Sequence, residues 1–128
     1  MKELFRWYNK YSVNNEEIDN QHKALFNIFN RLYDYCGENN TKYDLILLMS
    51  ELVSYTKYHF SAEEQYMKNK GFINIDQHIS EHKIFTDKIM KLHSKSLLSG
   101  EEISKELIVY LWNWITNHVL VEDKKIAF

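Results

Sequence analysis

Proline is absent from the 128 residues, and glycine occurs three times. Without those breakers the chain favours long uninterrupted helices over a turn-rich β fold. Cysteine occurs once, at Cys36, so no intrachain disulfide is possible, and a reducing compartment fits. Neither sign of charge dominates: the net charge is −2, with Lys and Glu interspersed. No basic block points to nucleic acid, and there is no acidic tail. No window is apolar enough for a membrane span, and the opening "MKELFRWYNKY" has no apolar run of signal-peptide length. The expected location is the cytoplasm. What the chain does have is enough apolar and aromatic residues for the core of one domain spanning 1–128.

The apolar periodicity predicts an aromatic N-terminal arm and four helices. The arm covers about 1–15, with Phe5, Trp7, Tyr8 and Tyr11, and should pack across the body. The first helix is expected at about 17–37, with an inward stripe of His22, Leu25, Phe29, Leu32 and Cys36 and a stop at Gly37. The second runs over about 41–70, capped by Thr41 and stopped by Gly71; its seam is Leu45, Leu48, Leu52, Tyr55, His59 and Glu63. The third covers about 74–98 and aligns Ile75, His78, His82, Phe85, Ile89 and Leu92, ending before Gly100. The fourth covers about 101–120, with Ile103, Leu107, Tyr110 or Leu111, Trp114 and His118 on one face. Cys36 reads as a small buried hydrophobe. Short connections make neighbours antiparallel, giving an all-α, up-down-up-down four-helix bundle.

That topology has a chemical consequence. His22 starts helix one, His59 and Glu63 lie late in helix two, His78 and His82 start helix three, and His118 ends helix four. All these places are at the same end of an up-down bundle, so five of the six histidines share one core layer. A lone histidine on an apolar face is usually a satisfied core residue. Five in one layer with a carboxylate are costly to bury without partners, and bundle cores meet that cost with metal. Imidazoles with carboxylates suit iron, manganese, zinc or copper. Five exceed the four ligands of a structural zinc site and suit two metals with bridging carboxylates. Glu63 is one bridge candidate. The second should lie near His118, where "HVLVED" offers Glu122 at i+4 and Asp123 at i+5. Regular helix geometry prefers Glu122, since i+5 is rotated by about 140°. Asp123 requires the helix to end or widen just after His118.

His22, H-x-x-x-E at 59 and 63, H-x-x-x-H at 78 and 82, and H-x-x-x-x-D at 118 and 123 together resemble hemerythrin in its single-domain bacterial form. "EEIDNQHKALF" and "WNWITNHVLVED" resemble its flanking segments, and the likeness covers nearly the whole chain. The resemblance implies Asp123 rather than Glu122. It implies that His78, His82 and His118 hold one iron and His22 and His59 the other, with Glu63, Asp123 and an oxo or hydroxo group bridging. The second iron then keeps an open position for dioxygen. Reversible binding needs a dry pocket, for which Leu25, Phe60, Trp114, Ile115 and Val119 are candidates by their spacing from the ligands.

The implied function is reversible dioxygen binding for storage, delivery or sensing, without enzymatic turnover. The alternatives are a di-iron enzyme handling O2, peroxide or nitric oxide, or a metal reservoir or zinc site. Ferritin-like oxidases carry Glu-x-x-His pairs. No Glu stands three residues before any His here; Asp19 before His22 comes nearest. His93 matches no ligand position and is expected to be solvated or locally bonded. Glu64, Glu81 and Glu122 are expected to face outward, and Tyr55 and Tyr66 are candidate hydrogen-bond partners around His59.

Overall fold

The computed structural model describes residues 5–36, 42–96 and 101–126. Helix α1 spans Glu16–Cys36, α2 Lys42–Lys70, α3 Ile75–Ser96 and α4 Glu101–Trp114. The rod of α4 continues as a π-helical stretch, Ile115–Glu122, and closes in a 3₁₀ turn, Asp123–Ile126. Both α1 and α3 pack on α2 and on α4. The four rods therefore close a ring in up-down-up-down order. The described residues contain no strand.

Local chemistry sets the helix ends. Asn15 caps α1, its Oδ1 accepting the Ile18 N–H at 3.0 Å. Gly71 ends α2 in the left-handed region, with φ 67°. There the Gly71 N–H reaches Lys68 O and the Phe72 N–H reaches Met67 O, the Schellman arrangement. A side chain at Gly71 meets no neighbour, so its φ is what requires glycine. The side chains of Cys36 and Glu122, the stops at Gly37 and Gly100, the cap at Thr41 and the inward role of Ile103 lie outside the described residues or side chains.

Beyond the histidine layer the described core is mainly apolar. Phe29 and Leu32, Met49 and Leu52, Ile89 and Leu92, and Leu107 and Leu111 are all at most 1% exposed. Between the two options on α4, Leu111 faces inward and Tyr110 is only half-buried. Met49 and Thr56 are also buried, though the second-helix seam did not include them. His93 is half-buried and bonds Ser50 on α2 at 3.2 Å. It is therefore bonded across the bundle rather than locally, because its helical face meets α2.

The arm packs on α1 and α4. Phe5 is buried against Phe26, Phe29 and Trp112, and Trp7 meets Phe26 edge-on. Asn30, buried in α1, clamps the arm's backbone at two points. Its Oδ1 accepts the Phe5 N–H at 2.8 Å, and its Nδ2 donates to the Phe5 carbonyl at 2.7 Å. Asp19 accepts from the Val13 N–H and the Ser12 hydroxyl, fixing the arm's turn into α1.

Candidate metal centre

Five imidazoles and two carboxylates converge at one end of the bundle, each at most 3% exposed: His22, His59, Glu63, His78, His82, His118 and Asp123. They form two sets of potential ligands, His78–His82–His118–Asp123 and His22–His59–Glu63–Asp123. Asp123 belongs to both. Its Oδ1 lies 2.9 Å from His78 Nε2 and 3.2 Å from His118 Nε2, while its Oδ2 lies 3.2 Å from His22 Nε2. Glu63 also faces both sets: Oε1 lies 3.1 Å from His59 Nε2 and 3.4 Å from His82 Nε2, and Oε2 lies 3.7 Å from His22 Nε2.

Asp123 reaches this position because the end of the fourth rod is wound wide. Its N–H bonds to the His118 carbonyl five residues back. The widening begins at Ile115, three residues before His118 rather than just after it. Side chains compete for the helix carbonyls at that point. The Thr116 hydroxyl bonds the Trp112 and Asn113 carbonyls, and the Asn117 amide bonds Asn113 O. The β-branched Ile115, Thr116 and Val119 add to the local preference against a tight α-helix.

The outer nitrogens are held by a second ring of groups. Gln21 Oε1 lies 2.7 Å from His59 Nδ1, Glu64 Oε2 2.9 Å from His82 Nδ1 and Glu81 Oε2 3.3 Å from His118 Nδ1. Glu64 and Glu81 therefore do not face outward: their side chains are 26% and 32% exposed and turn in toward the histidines. Gln21, which the helical stripe did not single out, fills the place expected of Tyr55 or Tyr66. Tyr55 packs against Tyr58, and Lys70 lies over the Tyr66 ring. The signal for Gln21 was its position next to His22, on the border of the inward face.

These contacts set the protonation pattern. An imidazole that donates its outer N–H to an oxygen turns a lone pair inward. For His59 and His82 that lone pair faces the Glu63 carboxylate, a repulsive arrangement unless a cation lies between them. In the metal-free protein a proton serves as that cation at His82. Burial disfavours charge on His22, yet Asp123 and Glu63 outweigh it and raise its pKa to about 10. Burial likewise opposes charge on His82, and Glu63 and Glu64 lift it to about 9. Burial works to protonate Glu63, but His59, then His22 and His82, hold it well below the usual carboxylate range. Burial and Glu63 push Asp123 upward, and His118, His22 and His78 overrule them.

The donors fit a metal pair. His22 Nε2, both Glu63 oxygens, His82 Nε2, His118 Nε2 and Asp123 Oδ2 are fully buried without a well-oriented hydrogen-bond partner, a pattern native cores avoid. Ligand bonds of about 2.1 Å put neighbouring ligand atoms about 3 Å apart across one metal, close to most of the His–carboxylate separations here.

Leu25, Phe60, Ile115 and Val119 are buried in one apolar cluster beside this centre, with Trp114 packed against it. Phe60 stacks on His82, with ring centroids 3.9 Å apart. Trp114 stacks on His118 at 4.0 Å but is half-buried. Its other side opens on a surface cavity of about 350 Å³, shared with Glu81, Ile84, Tyr110, Asn113, Asn117 and His118. It therefore lies at the edge of the cluster, not deep within it.

A family model described as the hemerythrin HHE cation binding domain matches residues 13–127. A bacteriohemerythrin of Clostridium acetobutylicum is 29% identical, over 95% of this chain and 98% of its own. A myohemerythrin of Theromyzon tessulatum is 27% identical, over 96% of this chain and 91% of its own. The crystal structure of a wild-type hemerythrin superposes with a TM-score of 0.84 at 24% identity, covering 97% of this chain and 95% of that one, a likeness of fold. Among the described residues no helix is long and apolar enough to cross a membrane.

Proposed function

The chain belongs to the hemerythrin HHE cation-binding family, and from that membership we propose that it binds dioxygen reversibly at a non-heme di-iron centre. In this reading His78, His82 and His118 would hold one iron, His22 and His59 would hold the other, and Glu63 and Asp123 would be shared between them together with an oxo or hydroxo group. The observation that carries it is the division of the Asp123 carboxylate, one oxygen toward His78 and His118 and the other toward His22.

When bound, the iron pair supplies one electron from each ion to dioxygen. The protein's residues do the rest. Gln21 and Glu64 fix the tautomers of His59 and His82 so that Nε2 points inward, and Glu81 stands beside the outer nitrogen of His118. Among the seven ligand side chains only Glu63 and Asp123 would bring negative charge into direct contact with the pair, which disfavours oxidation beyond ferric iron. Leu25, Phe60, Ile115 and Val119 keep water from the pocket, with Trp114 closing its edge. Exclusion of water and protons is what makes oxygen release reversible. The His-rich donor set without a Glu-x-x-His pair supports an oxygen carrier over an oxidase, and the single cysteine fits the cytoplasm.

Anaerobically iron-loaded protein tests this. Visible bands that appear with oxygen and vanish on deoxygenation, over repeated cycles, are expected. Irreversible oxidation with catalytic consumption of peroxide would instead make it an enzyme.

A further inference from the structure

The two ligand sets are backed by groups of different charge. On the three-histidine side, carboxylates lie against two of the three outer nitrogens: Glu64 hydrogen-bonds His82 at 2.9 Å, and Glu81 stands 3.3 Å from His118 as an ion-pair neighbour. On the two-histidine side, His59 is backed by the neutral Gln21 amide at 2.7 Å, and buried His22 Nδ1 has no hydrogen-bond partner. The two acids reach in from different elements, Glu64 from α2 and Glu81 from α3. A carboxylate on the outer N–H of an imidazole makes its inner nitrogen a stronger donor, and an amide does so less. Both glutamates are largely shielded from solvent, which limits screening of their charge.

We infer that Glu64 and Glu81 are positioning residues that, through His82 and His118, make the three-histidine iron the more easily oxidised of the pair. The inference rests on the di-iron reading proposed above. One-electron oxidation by an outer-sphere oxidant such as ferricyanide then takes its electron from the ferrous ion held by His78, His82 and His118. That ion becomes ferric, and ferricyanide becomes ferrocyanide.

Glu64→Gln and Glu81→Gln keep an oxygen in place to accept the histidine N–H while removing the charge, so they separate charge from mere orientation. Gln21→Glu adds the charge on the other side. The measurements are iron content after anaerobic loading and the two midpoint potentials from a redox titration with ferricyanide. Each Glu→Gln variant is expected to raise the first potential by the equivalent of tenfold in the ferric-to-ferrous affinity ratio, about 59 mV. Gln21→Glu is expected to lower the second potential and so narrow the gap between the two. Iron retention at the three-histidine position should also weaken in the Glu→Gln variants, by roughly 10–100-fold.

Unchanged potentials in Glu→Gln variants that still hold two irons overturn the inference and leave the di-iron reading standing. If either glutamine variant does not fold, Gln21→Glu decides alone: a gap that stays the same or widens overturns the inference. A parent chain that takes up no pair of irons overturns the reading of the site itself.

Discussion

Asp123→Asn is the most revealing single substitution. The side chain is fully buried, and its oxygens lie 2.9 to 3.2 Å from three imidazole nitrogens on three different rods. Asparagine has nearly the same volume, so no cavity forms. What is lost is the negative charge that offsets His22 and His82, whose pKa values are raised in the metal-free protein. Removing one partner from a buried ionic network costs about 3–5 kcal/mol. The lower end applies, because Glu63 repels Asp123 and its strain is relieved. In a chain of this length about 3 kcal/mol lowers Tm by on the order of 10 °C. The loaded protein should lose more, because Asp123 serves both ligand sets. The assays are thermal unfolding followed by circular dichroism, with and without metal, and metal content after dialysis. Glu122→Gln, one residue earlier, is the control and should retain the parent's metal content. If Asp123→Asn unfolds within about 2 °C of the parent and still retains two metals, the wide turn has been assigned the wrong carboxylate.

Three further outcomes are expected. Ile115→Thr puts a hydroxyl in the apolar cluster without changing the branched shape, and should speed autoxidation of the oxygenated protein; an unchanged rate, followed optically, removes Ile115 from the pocket lining. Asn30→Ala deletes both hydrogen bonds to Phe5, which should cost about 2 kcal/mol and make the arm more sensitive to limited proteolysis. The metal-free protein should lose stability in alkali: His22 and His82, raised from 6.5 to about 10 and about 9, contribute fully below pH 6.5 and lose that contribution as pH rises through 9 to 10. Glu63 and Asp123, both held low, contribute above the usual carboxylate range and lose it on acidification. A Tm of the metal-free protein that does not fall between pH 6.5 and 10 contradicts the charge pattern.

The bundle was legible because its signals are local and repeated. Alternating steps of three and four fixed the inward stripes, and Gly71 marked a helix end that its φ of 67° requires. The convergence of the histidines followed from topology alone, since an up-down bundle brings alternate helix ends together. Asp123 was harder. Regular helix geometry favours Glu122, and Asp123 came only from the family resemblance. The widened turn arises from Thr116 and Asn117 binding carbonyls of the preceding turn, a competition that periodicity does not encode. The inward turn of Glu64 and Glu81 was missed for a related reason. Both stand next to inward positions, and long side chains at such borders fold back toward a partner that only the packed neighbour supplies.

Diffraction from anaerobically iron-loaded crystals, measured on both sides of the iron absorption edge, would locate the metal directly. Two anomalous peaks are expected, one among His78, His82 and His118 and one beside His22 and His59, with the Asp123 carboxylate between them. A single peak, or iron found outside the layer of buried histidines, would rule out a metal pair shared by Glu63 and Asp123.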